Sequence, residues 1–307
     1  MKLALFNEYA LGVVKGDAIV DVTAVVADLP RSTPAHLMTV LVGSFERYRD
    51  RIEAAAKGSG TPLTEVRLRP PLPSPPNIVC MAANYNDGIM PPRPNSINAF
   101  HKATSAVIGP GDTMELPDVP ASIFEGEAEL AVVIGKQASN VPETEAMNYV
   151  FGYTNFIDGS ARDLPIWLQM KSRATFAPLG PYLVTADEIP DPHRLQVRSW
   201  TTGILMQDYS TSDMANSIPR CISWLSGVHV LEPGAVVAMG THHAGLNAFQ
   251  DGDVVELETE GLGRLRIAVR DDLKRTWGRE TRGQLRDRLP PGATTPQLAG
   301  KYAKNAA

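Results

Sequence analysis

Cysteine is nearly absent: Cys80 and Cys221 are the two in 307 residues. Two cysteines cannot frame a disulfide scaffold or a cysteine-based zinc site, and a reducing compartment is the expectation. A basic surplus is missing too. Against 34 Asp and Glu stand 29 Lys and Arg, a net charge of −5, so neither nucleic acid nor an anionic membrane surface is an expected partner. Apolar runs are short. Leu130–Ile134 is typical, far below the roughly 20 residues that cross a bilayer. Met1–Phe6 holds one Lys and then meets Asn7 and Glu8 before a signal-like core develops, which points to the cytoplasm. What the chain does have is 43% hydrophobic and 21% charged residues, with 25 Gly and 25 Pro. That composition excludes disorder as the main state and favours many short strands and turns over long helices.

Short apolar segments separated by Gly and Asp at the start, Met1–Phe6, Leu11–Val14 and Ala18–Val22, read as a β-hairpin. Residues 34–57 carry apolar positions at three- and four-residue spacing and read as helical. The proline-rich stretch Pro70–Pro76 is stiff and extended. It marks a boundary between a small N-terminal α+β domain, 1–70, and a main domain, 71–272. Beyond the boundary the pattern is mostly strand, with helices expected at Pro142–Tyr149 and Thr211–Leu225. The polar remainder, 273–307, reads as an extension that either wraps the surface or is partly mobile.

The informative segment is Phe124–Gly135. Alternate side chains of a strand share a face, so Glu127 and Glu129 point the same way, and Glu125 joins them if the strand begins early. The strand continues into the buried run Leu130–Ile134. Two acids at the mouth of a buried strand repel each other and lose hydration, and a cation relieves both costs. Asp158, at the end of another apolar strand, supplies a third acid. Three carboxylates with open positions suit a hard cation such as Mg²⁺ or Mn²⁺.

These residues carry a resemblance to the fumarylacetoacetate hydrolase superfamily. Glu127-Ala128-Glu129 resembles its Glu-x-Glu strand, and Gly152–Asp163 its Gly-Tyr-x-x-x-x-Asp-x-Ser/Thr-Ala-Arg-Asp segment. Lys171–Pro181, Gln207, Thr211–Met214, Leu231–Gly234, Gly240-Thr241 and Asp251–Asp253 follow in family order. The likeness spans roughly residues 75–272. It implies a mixed β-sandwich roll, a Mg²⁺ or Mn²⁺ ion, a homodimer, and a small 2-oxo acid or β-diketone as substrate. By the same resemblance Glu127, Glu129 and Asp158 are metal ligands, and Arg162 holds the substrate or the acid cluster. Lys171 faces the reacting carbonyl, and Thr241, with Tyr85 and Gln207, contacts the substrate.

The pattern also departs from the family. Its hydrolases often carry a water-activating histidine where Asn84-Tyr85-Asn86-Asp87 is followed by Gly88. Pro165 stands where a Gln often follows, and Gly240–Gly245 reads Gly-Thr-His-His-Ala-Gly instead of Gly-Thr-Pro-x-Gly. A replacement base is expected from the other rim, His242 first, with His243 beside it and His101 behind. The loop Asn86–Ser96 is a candidate lid. Hydrolytic C–C cleavage in the catabolism of aromatic or related carbon sources stands beside tautomerisation, decarboxylation or hydration of 2-oxo acids. A non-catalytic metabolite-binding relative is the third reading.

Overall fold

The structure is a computed structural model that describes residues 1–87, 96–289 and 294–303. It is mostly β with short helices, a mixed sandwich roll as the motifs imply. The larger sheet has twelve strands among the described residues. Its main path runs Thr61–Pro62, Ala18–Asp21, Ala10–Lys15, Lys2–Phe6, Ala177–Thr185, Val150–Ala161, Phe124–Ile134, Val236–Ala238, Ile78–Met81 and Ala99–Lys102. A five-stranded sheet, Ile204–Ser210, Gln196–Thr201, Val254–Thr259, Arg264–Arg270 and Thr113–Glu115, packs against it.

The alternation of the Phe124–Ile134 strand explains the layers. Its odd residues Ala131 and Val133 face a core shared with Leu37, Met38, Leu41 and Phe45 of the N-terminal segment. Its even residues Leu130, Val132 and Ile134 face the helix Ile218–Val228 through Cys221, Ile222 and Leu225. Phe124 and Ala128, also even, meet the smaller sheet at Val197, Val255, Leu257 and Ile267. Gly126 sits where a Cβ would lie 2.4 Å from the Phe249 ring, so only glycine lets that ring close over the strand between two glutamates.

Residues 1–70 are built into the large sheet. Lys2 and Leu3 pair antiparallel with Val184 and Leu183, and the proline run links the two segments without breaking that ladder. The helical stretch divides into Leu37–Val42 and Arg49–Ala55. The helix expected over Thr211–Leu225 starts later, at Ile218, where the Ser217 hydroxyl accepts from the Arg220 amide and Pro219 occupies the first turn. Pro142–Tyr149 is a 3₁₀ segment, Glu143–Tyr149. The candidate lid falls largely on 88–95, outside the described residues.

The sheet curls. Ala99–Lys102 pairs with Ile78–Met81 at one edge, yet Val107–Ile108 already lies parallel to Ala177–Pro178 on the far side of the acid strand. The curl carries Lys102 inside the roll. The C-terminal segment, where described, is stitched to the main body. Arg275 is fully buried, with Nε and Nη2 donating to the two Asp271 carboxylate oxygens at 2.9 Å and Nη2 also to the Pro117 carbonyl at 2.9 Å. Trp277 is buried as well, and its Nε1 donates to the Ser122 carbonyl at 2.7 Å.

Removing one partner of a buried ion pair strands the other. Arg275→Ala is therefore expected to lower unfolding free energy by about 3–5 kcal/mol in urea denaturation. A change below about 1 kcal/mol, the range of an exposed pair, would show the clamp to be dispensable.

Candidate metal centre

The site follows from strand register. Phe124–Ile134 and Val150–Ala161 are antiparallel neighbours, with Glu127 opposite Asp158, Glu125 opposite Ser160 and Glu129 opposite Phe156. Directly opposed residues share a face, so Asp158 joins Glu127 and Glu129. Their ligand oxygens lie within 4.8 Å of one another, and all three side chains are buried.

Three cationic side chains contact Glu127 or Asp158, and a fourth the neighbouring Glu125. Lys171, ending the helix Trp167–Lys171, donates from Nζ to Glu127 Oε1 at 2.8 Å and Asp158 Oδ2 at 2.5 Å. Lys102 Nζ reaches Asp158 Oδ1 at 2.5 Å, the Gly159 carbonyl at 3.0 Å and the Lys171 carbonyl. Arg162 donates from Nε to Glu125 Oε2 at 2.8 Å and from Nη2 to Glu127 Oε1. Arg282, from the C-terminal segment, spans both Glu125 oxygens at 2.9 and 2.5 Å.

The electrostatics separate the acids. Burial would raise the Glu127 carboxyl, but the Lys171 and Arg162 charges hold it well below the usual range. Burial would lower the Lys171 ammonium, and the Asp158 and Glu127 carboxylates more than reverse this. Glu129 is different. Burial, then the Asp158 and Glu127 charges, pushes it well above the usual carboxyl range. Its Oε2 accepts from the Gly240 amide at 2.7 Å, while its buried Oε1 has no hydrogen-bond partner among the described residues. An orphaned carboxylate oxygen amid two other acids is the environment that a hard dication satisfies, and the all-oxygen donor set fits Mg²⁺ or Mn²⁺.

A cavity of about 190 Å³ opens at this cluster. Glu127, Arg162, Lys171, Thr241, His243 and Arg282 give it polar walls, and Met81, Phe100 and Trp167 an apolar one. The Phe100 and Trp167 rings lie 4.7 Å apart, and Lys171 Nζ sits 5.2 Å from the Phe100 ring centre. Three larger hollows, of about 630, 570 and 280 Å³, lie elsewhere and contain none of the three acids.

Of the residues read from sequence, Glu127, Glu129, Asp158, Lys171 and Arg162 come together, and Thr241 lines the cavity. Gln207 stands behind it, its Nε2 donating to the Thr241 hydroxyl at 2.7 Å and to the His242 carbonyl at 2.8 Å. Tyr85 is buried edge-on to Tyr209, centroids 5.1 Å apart, and is not a lining residue. His242, the first choice of base, stacks on Tyr209 at 5.8 Å instead of lining the cavity. The turn His243–Gly245 brings the next imidazole in. His243 Nδ1 pairs with Asp87 Oδ2 at 2.5 Å, and its backbone amide donates to the same oxygen at 2.9 Å. His101 is exposed, its ring 5.1 Å from that of His229. Sequence reasoning passed over Lys102, whose place two residues after Phe100 puts both on the inner face and His101 on the other. Asp87 and Arg282 were also missed.

The sequence profile described as "Fumarylacetoacetate (FAA) hydrolase C-terminal" matches residues 77–270. This chain belongs to the fumarylacetoacetate hydrolase family. Maleylpyruvate hydrolase of Aquipseudomonas alcaligenes is 33% identical over 287 residues, 88% of this chain and 99% of that one. Mitochondrial oxaloacetate tautomerase of Xenopus laevis is 37% identical over 218 residues, 66% of this chain and 68% of that one. Among solved structures, maleylpyruvate hydrolase from Sphingobium sp. SYK-6, in complex with manganese(II) ion and pyruvate, superposes with a TM-score of 0.81 at 35% identity. It covers 88% of this chain and 99% of the other. The family thus includes enzymes of more than one reaction type, and no described helix is long and apolar enough to cross a membrane.

An ion that binds the folded state alone stabilises it. Mn²⁺ at about 100 times its Kd is expected to add roughly 2.7 kcal/mol, read as a rise in Tm, and Glu129→Gln should remove most of that rise. No rise in the wild-type chain, or an equal rise in the variant, would contradict the assignment of Glu129 as a ligand.

Proposed function

We propose that this chain is a divalent-metal-dependent enzyme that hydrolyses a C–C bond in a small acylpyruvate-type 2-oxo acid. The observation that carries the reading is the meeting, in one cavity, of the triad with its orphaned Glu129 oxygen, the Lys171 ammonium and the Asp87–His243 pair. A dication held by Glu127, Glu129 and Asp158 would supply Lewis-acid polarisation of the adjacent oxygens of a 2-oxo acid.

The protein groups supply the rest. Asp87 accepts from His243 Nδ1, which fixes the tautomer and leaves Nε2 as the acceptor of a ring that lines the cavity. Nε2 takes a proton from water as the oxygen adds to the distal acyl carbonyl carbon. The bond between that carbon and the adjacent methylene then breaks, its electron pair passing into a pyruvate enolate. Lys171 stabilises the developing negative charge. Protonation of the enolate carbon by the His243 imidazolium gives pyruvate and the carboxylic acid, and restores the base. Thr241, oriented by Gln207, donates its hydroxyl to a substrate oxygen. The near full-length likeness to maleylpyruvate hydrolases supports this reaction.

The second reading is tautomerisation of a 2-oxo acid. It requires only proton removal and return, and is supported by Gly88 in place of the family histidine and by the likeness to oxaloacetate tautomerase.

Product analysis with 2,4-dioxo acids and with oxaloacetate, in Mg²⁺ or Mn²⁺, separates the two. Under the hydrolase reading pyruvate and a second acid appear in equal amounts. His243→Ala is expected to lower kcat by about 10²–10⁴-fold, Asp87→Asn by less, and His242→Ala by only a few-fold. A kcat that depends on His242 and not on His243 would overturn the assignment of the base.

A further inference from the structure

Three permanently cationic side chains line the cavity, Arg162, Lys171 and Arg282, against a single lining carboxylate, Glu127, among the described residues. Lys171 is directed at both Glu127 and Asp158, and one arm of Arg162 at Glu127. The other guanidinium contacts are made to Glu125, which answers two guanidiniums with one charge. Glu125, Glu127 and Asp158 answer these three cations, yet Arg282 keeps an unspent donor. Arg282 uses Nε and Nη2 on Glu125, and its Nη1 donates to no described residue.

Arg282 is held in place. Its backbone amide donates to the Leu246 carbonyl at 2.9 Å. Thr281 and Gln284 form a reciprocal capping box around it. A Cβ on Gly283 would lie 3.0 Å from the Ala244 carbonyl oxygen, so the short helix Arg282–Leu285 sits directly on the turn that carries His243. This segment lies beyond the residues that the family profile matches, 77–270.

We infer that Arg282 recognises a second carboxylate on the substrate, so that the site selects dianionic 2-oxo acids over their monoanionic counterparts. The inference rests on the proposed reading of the site as one for 2-oxo acids. A carboxylate at the far end of such a molecule offers the planar, two-oxygen partner that a guanidinium fork matches. A methyl group in the same position would leave that donor desolvated and without an acceptor.

The test is calorimetric binding to the Mn²⁺-loaded protein. The probes are 2-oxoglutarate and 2-oxoadipate, each against the monoacid with a methyl in place of the distal carboxylate, 2-oxopentanoate and 2-oxohexanoate. For at least one pair the dicarboxylate is expected to bind about tenfold tighter or more, the scale of a charge-assisted hydrogen bond. Arg282→Gln should bring that ratio close to one, and Arg282→Lys should leave part of it. A wild-type ratio near one for both pairs, or an unchanged ratio in Arg282→Gln, overturns the inference while the site reading stands. If Arg282→Gln loses the monoacids as well, through damage to the Glu125 contact, the ratio in Arg282→Lys decides. If the wild-type protein binds none of the four, the site reading fails and the inference with it.

Discussion

One pairing of the β-ladder governs the chemistry of this protein: Glu127 lies directly across from Asp158 in two buried antiparallel strands. Each acid alone on such a face would be costly, because removal of a carboxylate from water is repaid only by close opposite charge and good hydrogen bonds. Placed opposite each other, with Glu129 two residues on, they make a concentration of negative charge that the apolar interior cannot tolerate without cations. A one-residue slip of either strand would turn its acid to the other face, toward Phe249 and the smaller sheet. The register and the binding chemistry are therefore one constraint.

The fold meets that constraint by delivering positive charge from four separate places. Lys171 comes from a short helix after the Asp158 strand, and Arg162 from the turn at that strand's end. Lys102 arrives because the large sheet curls until its edge strand lies inside the roll. Arg282 arrives with the C-terminal segment, which Arg275 and Trp277 clamp to the body. Even so, Glu129 Oε1 is left without a partner. The protein cations neutralise most of the cluster and leave one buried oxygen for a ligand from outside.

The parts legible in sequence were those with local periodicity or an ordered motif. Alternation placed Glu127 and Glu129 on one face, and the Gly152–Asp163 segment brought in Asp158 and Arg162. The missed parts depend on tertiary placement. Nothing local distinguishes His242 from His243; the turn that ends the Gly240-Thr241 corner decides which ring meets Asp87 and which stacks on Tyr209. Lys102 looks like any lysine after a short strand until the roll closes. Arg282 lies in a polar stretch whose composition resembles a tail, because its anchoring groups, Arg275 and Arg279, are charged residues satisfied by the buried acids Asp271 and Asp253. The prolines read as an N-terminal boundary lie between strands that share one sheet.

The central claim is that three carboxylates from two strands grip one hard dication. Anomalous diffraction from crystals grown with Mn²⁺ tests it most directly. The account predicts a single strong peak within roughly 2.0–2.6 Å of one oxygen each from Glu127, Glu129 and Asp158, the range for hard cations and oxygen. A map with no peak there, with Glu129 Oε1 still lacking a partner, would contradict it.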